Sequence, residues 1–208
     1  MTMPALAESS AGVQVYLIRH GQTEWSLSGQ HTGRSDIPLT EHGEEEARGL
    51  APWLRPIRFT RILTSPRQRA MRTCALAGLD ALAEVDPDLA EWDYGEYEGI
   101  RSVDIRTDRP DWSVFRDGCP GGEMPADIAV RADRLISRLE TMSGAVALFS
   151  HGQFGMALGA RWIGLPVLDG QHFTLSTASV SVLGLHPTRP KVRVIERWNA
   201  TPGPLGTG

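Results

Sequence analysis

Three mainly apolar runs divide the chain, and polar residues follow each of them at once. VQVYLI at 13–18, RILT at 61–64 and AVALF at 145–149 are rich in residues that favour β-strands. Nearly continuous hydrophobicity is typical of strands buried on both faces, as in a parallel sheet covered by helices. The pattern therefore predicts three central strands.

Helical periodicity occupies the intervals between these runs. Thr40 is predicted to cap a helix whose last turn is distorted by Pro52. Ser65 and Pro66 form a favourable N-cap and first-turn pair for another helix. The pattern predicts helices with approximate bounds 40–54, 65–77, 125–139 and 153–163.

The alternation of strands with helices predicts an α/β fold with a parallel, doubly wound sheet. Near the end, SVSVLGL at 179–185 and KVRVIERW at 191–198 flank a Pro-containing turn, which is typical of an antiparallel hairpin. We therefore expect a three-layer α/β/α sandwich, mostly parallel, with an antiparallel edge hairpin. It would form a single domain over 1–208, with an ordered core of about 13–199 and short flexible tails.

Composition narrows the classes of function. The chain has 208 residues, of which 41% are apolar and 22% charged, as in a globular protein. The net charge of −4 argues against a broad basic surface, so no nucleic-acid partner is expected. The chain shows no signal-like start and no long apolar run, which predicts a cytoplasmic protein without a membrane partner. Homo-oligomerisation stays open.

Polar residues with phosphate-binding chemistry are expected at one edge of the predicted sheet. In such sheets ligands bind outside the carboxyl ends of the strands, where helix N-termini point N–H groups at anions. The predicted strands deliver Arg19, His20, Arg69 and His151 to that edge. A lone histidine after a strand is more often structural, but Gly21 permits close ligand approach and Arg19 offers a planar fork for phosphate oxygens.

The motifs resemble those of the histidine phosphatase (phosphoglycerate mutase-like) superfamily. They occur in the order and at the spacing of that family, and the resemblance covers about 13–185. It implies a metal-independent phosphatase that needs no cofactor and works through a phosphohistidine. The matching motifs are LIRHGQTEW at 17–25, TG at 32–33, SPRQRAMRT at 65–73, LAEWDYGEYEG at 89–99 and SHG at 150–152.

The resemblance implies a role for each matched catalytic residue. His20 would be the phosphorylated nucleophile, with Arg19 and Arg69 as phosphate-holding arginines and His151 as the second histidine. Glu91 would protonate the leaving group and then activate water. In-line attack needs an imidazole in one tautomer and fixed positive charge on the equatorial oxygens. Arg19, Arg69 and a protonated His151 would supply that charge without a metal ion, so no metal site is expected.

The resemblance is greatest to the sedoheptulose-1,7-bisphosphatase-like branch, through QHTGRSDIPLT at 30–40 and EWDYGEYEG at 91–99. A bisphosphate substrate needs a second cationic anchor, and the Arg-rich segment 101–116 offers candidates, of which Arg116 is favoured. The expected substrate-binding residues are Gln22, Thr23, Ser26, Thr32, Gly33, Tyr94, Arg116, Gly152 and Gln153.

Hydrolysis of a small phosphorylated metabolite, a sugar phosphate or bisphosphate, is therefore the expected function, and two alternatives stay open. A cofactor-dependent phosphoglycerate mutase would return the phosphoryl group to substrate. Mutases carry a Glu-Arg-His-Tyr-Gly run where this chain has EWDYG at 91–95, and they carry a longer Arg-rich insertion. A non-catalytic phospho-ligand-binding module would have lost the nucleophile or the acid, whereas His20, Glu91 and His151 are all present.

Overall fold

A computed structural model describes residues 12–202. Within them, six strands form one sheet in the order β3-β2-β4-β1-β5-β6. Most of the predicted flexible tails lies outside the described residues. The strands are β1 (Val13–Arg19), β2 (Phe59–Thr64), β3 (Ala83–Val85), β4 (Gly144–Ser150), β5 (Val180–His186) and β6 (Arg189–Ala200).

Eight α-helices connect or cover these strands within the described part of the chain. None of the helices between residues 12 and 202 has the length and apolar character needed to cross a bilayer. The helices are α1 (Glu24–Ser28), α2 (Glu41–Gly49), α3 (Ala51–Leu54), α4 (Gln68–Leu76), α5 (Ser102–Asp108), α6 (Val114–Asp117), α7 (Pro125–Leu139) and α8 (Gly152–Trp162). Short 3-10 turns occupy Asp80–Leu82, Pro87–Leu89, Gly95–Tyr97 and Val167–His172.

The predicted sheet is confirmed. β1 runs parallel to β4, and β2 runs parallel to both β4 and β3, whereas β5 and β6 add an antiparallel pair beside β1. Successive side chains of β1 face opposite layers, because side chains alternate along a strand. Val15 and Leu17 pack with the core under α7 and α8, and Tyr16 and Ile18 with the core under α2, α3 and α4.

Most of the helix ends predicted from the sequence are close to the observed ones. Thr40 caps α2 by accepting a hydrogen bond from Gly43 N at 3.0 Å. The predicted helix over 40–54 divides at Leu50 into α2 and α3, and Pro52, which has no N–H to donate, lies in the first turn of α3. The helices predicted at 125–139 and 153–163 are α7 and α8.

The N-cap expected at Ser65 and Pro66 is wrong. Helix α4 begins at Gln68, and its N-cap position, Arg67, forms no side-chain capping bond. The Ser65 hydroxyl lies instead 2.7 Å from His151 Nε2. The hydroxyl thus makes a tertiary contact with the residue that follows β4, and the local bond that it accepts, from Arg67 N at 3.3 Å, lies before the helix.

Backbone contact between α2 and the loop after β1 fixes the position of that loop. A Cβ atom at Gly21 would lie 2.2 Å from Gly43 O, and one at Gly43 would lie 2.1 Å from Gln22 O. The Thr40 N–H also donates to Gln22 O at 2.9 Å. No side chain larger than hydrogen fits at Gly21 or Gly43, so these glycines allow α2 to press directly against the chain next to His20.

Two glycine substitutions in α2 test this contact. We expect Gly43→Ala to lower the free energy of unfolding by about 1–3 kcal/mol, because the added methyl group overpacks the backbone contact. Gly49→Ala is the matched control, since its Cβ atom would meet nothing closer than 3.8 Å. The control should stabilise the helix by about 0.5–1 kcal/mol. Equal effects of the two substitutions in urea denaturation would contradict the contact.

Candidate active site

The carboxyl ends of β1 and β4 place two histidines side by side. Arg19 and Ser150, the last residues of these strands, are paired in the parallel register, so His20 and His151 leave the sheet together. Their ring centroids lie 5.2 Å apart. Arg69 enters the same site from the first turn of α4, which follows the neighbouring strand β2.

His20 is held in a single tautomer. Its Nδ1 atom lies 2.7 Å from Gly21 O, and a carbonyl oxygen can only accept, so Nδ1 carries the proton. The lone pair on Nε2 is then available for attack. Burial, assisted by the positive charges of Arg69 and Arg19, holds the pKa of His20 well below its ordinary value. His20 is therefore a neutral imidazole at neutral pH.

His151 is neutral as well, and the expectation that it is protonated is wrong. Arg69 Nε donates to His151 Nδ1 at 3.2 Å, so that nitrogen is an acceptor without a proton. The proton must then lie on Nε2, which donates to Ser65 Oγ. Burial and the nearby charges of Arg69, His20 and Arg19 hold the pKa of His151 well below its ordinary value.

Arg69 is fully buried and is hydrogen-bonded to the backbone of the loop between α1 and α2. Its Nη1 atom donates to Ser35 O at 2.9 Å, and its Nη2 atom donates to Thr32 O at 2.8 Å and to Gly33 O at 3.3 Å. The guanidinium is therefore fixed as a positive charge beside the histidine pair. Thr32 and Gly33, both predicted as substrate contacts, position this arginine through their carbonyl groups.

Arg19 offers an uncommitted donor to the site. Its Nη1 atom donates to Leu175 O, but its buried Nε atom has no hydrogen-bond partner among residues 12–202. Gly152, the first residue of α8, lies against the same guanidinium, since a Cβ atom there would be 3.4 Å from Arg19 Cζ. The Gly152 N–H at the start of α8 and the unpaired arginine donor are both groups that can bind an anion.

Glu91 closes the site from the loop before α5. Its Oε1 atom accepts hydrogen bonds from Trp92 N at 2.9 Å and Phe154 N at 2.7 Å, which uses both lone pairs. Among residues 12–202, its Oε2 atom accepts only from Gln153 N, at 3.0 Å. Oε2 therefore keeps one lone pair that these residues leave unused.

These groups surround a cleft of about 210 Å³, which is smaller than the pockets that hold drug-sized ligands. His20, Arg19 and Glu91 line it directly, whereas Arg69 and His151 lie beneath its surface. Its dimensions, its fixed positive charge and its free imidazole nitrogen suit a phosphate group. The predicted substrate-binding residues that also line it are Ser26, Thr32, Tyr94, Gly152 and Gln153.

Known proteins are similar to this chain in both sequence and fold. The model of the histidine phosphatase superfamily (branch 1) matches residues 15–201. The chain belongs to this superfamily. An acid phosphatase of Mycobacterium tuberculosis is 42% identical over 82% of this chain and 86% of its own length. A sedoheptulose 1,7-bisphosphatase of Saccharomyces cerevisiae is 37% identical over 73% of this chain and 68% of its own length.

A solved structure of a Mycobacterium tuberculosis open reading frame, Rv3214, superposes on the chain with a TM-score of 0.85. It is 38% identical in sequence, and the match covers 91% of this chain and 98% of the other. These comparisons confirm the predicted fold and family. They also confirm the enzyme class expected of a histidine phosphatase, a phosphoric monoester hydrolase.

The other predicted substrate contacts of this histidine phosphatase lie away from the cleft surface. The Gln22 amide oxygen accepts from Thr40 Oγ1 at 3.0 Å, and the fully buried Thr23 caps α1 by accepting from Ser26 N at 3.1 Å. Gly33 N donates to the Glu98 carboxylate. Their visible role is to shape the loops around the cleft.

Arg116 is not brought to the phosphate cleft. Its guanidinium is half-exposed and forms an ion pair with Asp117 at 2.9 Å. It also donates to Asp111 O.

Within residues 12–202, no group of three or more His, Cys, Asp or Glu side chains is arranged to hold a metal ion.

Sequence reasoning missed Arg131, which holds the loop that carries Glu91. Its Nη1 atom donates to Asp88 O at 3.0 Å and to Ala90 O at 2.5 Å, and its Nη2 atom donates to Glu91 O at 3.3 Å. Nη2 also donates to Glu123 Oε2 at 2.8 Å. A signal was available in the sequence, because Arg131 interrupts the apolar stripe of α7 and a charge on a buried helix face needs partners.

His31 is a second residue that matched no catalytic position yet lines the cleft. Its ring stacks on that of Tyr94 with centroids 4.4 Å apart, and its Nε2 atom lies 3.1 Å from Ser102 Oγ. Burial is the main cause that lowers the pKa of His31 to about 4, with Arg106 adding to the effect and Glu98 opposing it. A neutral, hydrogen-bonding side chain therefore borders the phosphate site.

The buried histidines His20, His31 and His151 predict a stability that depends on pH. Because folding lowers their pKa, the unfolded chain binds protons more readily than the native protein below about pH 6.5. Their contribution to the free energy of unfolding is complete above that pH and is lost as the pH falls. The contribution of His31 is fully lost by about pH 4. Each histidine should contribute a slope of about 1.4 kcal/mol per pH unit.

Urea denaturation between pH 7.5 and 5, in phosphate-free buffer, measures this slope. His31→Gln should reduce the slope by the contribution of one histidine. His42→Gln, which alters an exposed histidine of α2, should leave the slope unchanged. A free energy of unfolding that stays constant across this range would contradict the neutral, buried state of these histidines.

Proposed function

We propose that the chain hydrolyses monoesters of phosphate with small metabolites through a phosphohistidine at His20 and without a metal ion. The observation that carries the proposal is the neutral His20 ring, whose Nδ1–H is held by Gly21 O while its Nε2 lone pair is free. The family and the named phosphatase relatives support the reaction class.

In the first step, Nε2 of His20 attacks phosphorus in line with the leaving oxygen. The N–P bond forms as the P–O bond breaks, and the proton on Glu91 Oε2 passes to the departing alkoxide. Arg19 Nε, which has no hydrogen-bond partner among residues 12–202, and the Gly152 N–H at the start of α8 would bind phosphoryl oxygens. The ring becomes positively charged as Nε2 is phosphorylated, and the bond from Nδ1 to Gly21 O stabilises that charge.

In the second step, the Glu91 carboxylate takes a proton from water as the water oxygen attacks phosphorus. The N–P bond breaks, inorganic phosphate leaves, and His20 returns to its neutral form with Glu91 protonated for the next cycle. Oε2 serves in both steps, because Oε1 is saturated by the Trp92 and Phe154 amides.

A phosphoglycerate mutase would share the first step and differ in the acceptor. Hydrolysis is favoured because this chain has EWDYG at 91–95 in place of the Glu-Arg-His-Tyr-Gly run of mutases. Phosphate release measured beside interconversion of 2- and 3-phosphoglycerate separates the two reactions. Interconversion faster than phosphate release would favour the mutase.

Substitution of the nucleophile is the first test. We expect His20→Ala to reduce hydrolysis of p-nitrophenyl phosphate by about 10³-fold or more, because no other group replaces the attacking nitrogen. Alkaline quenching of the wild-type reaction should trap a phosphohistidine that the variant lacks. His42→Ala is a control for histidine loss at an exposed position. Undiminished turnover by His20→Ala, or loss of wild-type activity in EDTA, would refute the mechanism.

The proton-donor role of Glu91 has its own signature. An alkoxide leaving group needs a proton in the transition state, whereas p-nitrophenolate leaves readily without one. We expect Glu91→Gln to lower the phosphorylation rate for an alkyl phosphate such as glycerol phosphate by about 10²–10⁴-fold, and for p-nitrophenyl phosphate far less. Equal losses for both substrates in single-turnover measurements would show that Glu91 has a structural role instead.

A further inference from the structure

A second cavity opens beside the phosphate cleft, and we call it the side groove. It has a volume of about 480 Å³ and shares Ser102, Gln153 and Met156 with the cleft. Its lining includes Arg106 and Arg116, from α5 and α6. A ligand whose phosphate occupies the cleft can therefore extend past the shared residues into a region with arginines.

Two of the four arginines in segment 101–116 form ion pairs, and of the other two only Arg106 lines the side groove. Arg101 forms an ion pair with Asp104 at 2.7 Å, and Arg116 forms one with Asp117 at 2.9 Å. Arg109 Nη1 donates to Tyr97 Oη at 3.0 Å.

Arg106 differs from these arginines in its partners. Its Nε atom donates to Trp112 O at 3.0 Å, which orients the guanidinium. Its Nη groups have no acceptor among residues 12–202, and no carboxylate of those residues lies within ion-pair distance. Arg106 thus presents two free donor groups and an unneutralised charge to the side groove.

The two arginines of the side groove differ in their charged neighbours. Burial lowers the pKa of His31, which lines the cleft, and the positive charge of Arg106 adds to this effect. The hydrogen bond with Asp117 raises the pKa of Arg116, and the charge of Asp111, the acidic residue of the groove wall, adds to that effect. An anion that extends from the cleft therefore meets the positive charge of Arg106, while Arg116 is engaged by acidic neighbours.

The junction between the two cavities has a different chemistry. The Oε1 atom of Gln153 is buried there and has no hydrogen-bond partner among residues 12–202. A buried acceptor without a partner costs free energy, and a hydroxyl donor from a ligand would satisfy it. A phosphate dianion could not, because it has no proton to donate. The junction therefore suits the hydroxylated middle of a ligand.

We propose that the side groove binds a second phosphate group, at the far end of a hydroxylated bisphosphate substrate, and that Arg106 is the residue that holds it. A guanidinium fixed through Nε can bind phosphate oxygens through both Nη groups in a bidentate manner. This inference rests on the proposed phosphatase function and moves the second anchor from Arg116, which the sequence favoured, to Arg106.

Paired substrates and paired variants test the inference. The substrates are fructose 1,6-bisphosphate, fructose 1-phosphate, fructose 6-phosphate and p-nitrophenyl phosphate. We expect Arg106→Gln to lower kcat/KM for the bisphosphate by about 10- to 100-fold, mainly through KM, because a charge-assisted contact is lost. The three monophosphates should change by less than about two-fold. Arg116→Gln is the matched control, and we expect it to leave all four substrates within the same limit.

Other outcomes would overturn the inference. Equal loss on all four substrates would give Arg106 a general structural role, and a selective loss in Arg116→Gln alone would return the anchor to Arg116. If neither variant changed the kinetics, the side groove would not be the binding site of a second phosphate. If the wild type hydrolysed none of the substrates, the proposed function would fail. Calorimetric binding of fructose 1,6-bisphosphate would still test the groove, since Arg106→Gln should weaken it and Arg116→Gln should not.

Discussion

Burial of the Arg69 charge is the constraint on which the site depends. A guanidinium removed from water needs hydrogen-bond acceptors, and this one has them in His151 Nδ1 and in the carbonyl groups of Ser35, Thr32 and Gly33. Those acceptors come from separate parts of the chain, so Arg69 binds the strand ends together. Burial lowers the pKa of both His20 and His151, and the charge of Arg69 adds to that effect, which keeps the proposed nucleophile neutral.

A second buried arginine, Arg131, fixes the position of Glu91, the proposed acid, in a similar way. Arg131 on α7 holds the carbonyl groups of the loop before Glu91, and Glu123 provides its counter-charge at 2.8 Å. Glu123 also accepts from Asp93 N at 2.8 Å, so the loop is fixed on both sides of Glu91. Phe154, whose amide binds the Glu91 carboxylate, lies under the Arg131 guanidinium at 4.2 Å. These contacts of Arg131, Glu123 and Phe154 thus fix the position of the Glu91 carboxylate.

The parts of this molecule that the sequence predicted are those governed by local rules. Hydrophobic runs and a side-chain cap identified β1, β4 and α2, because burial on both faces and capping leave a direct trace in the residue order. Ser65 was misread for the same reason: a serine before proline favours a cap locally, whereas here its hydroxyl is engaged by His151. The short strand β3, with mostly exposed residues, has no hydrophobic pattern to reveal it.

Long-range polar contacts account for what could not be predicted at the site. The neutral state of His151 depends on a bond from Arg69, which lies far from it in sequence, and residue order alone does not show such a bond. The choice among the arginines of 101–116 likewise depends on which of them meets a carboxylate after folding. The sequence predicts that cations are present in this region, but only the ion pairs of the folded chain show which charge is left over.

The charges that line the cleft connect substrate binding with the proposed role of Glu91. Arg19 and Arg69 bring positive charge to the cleft, the histidines are neutral, and Glu91 is the carboxylate that faces it. A phosphate monoester arrives as a dianion and would stand beside that carboxylate, so the two negative charges repel each other. In the proposed mechanism the proton on Oε2 removes this repulsion, and Oε2 is the oxygen with a lone pair that the backbone amides leave unused. The oxygen to which the mechanism assigns the proton is thus the one at which a negative charge would oppose the substrate.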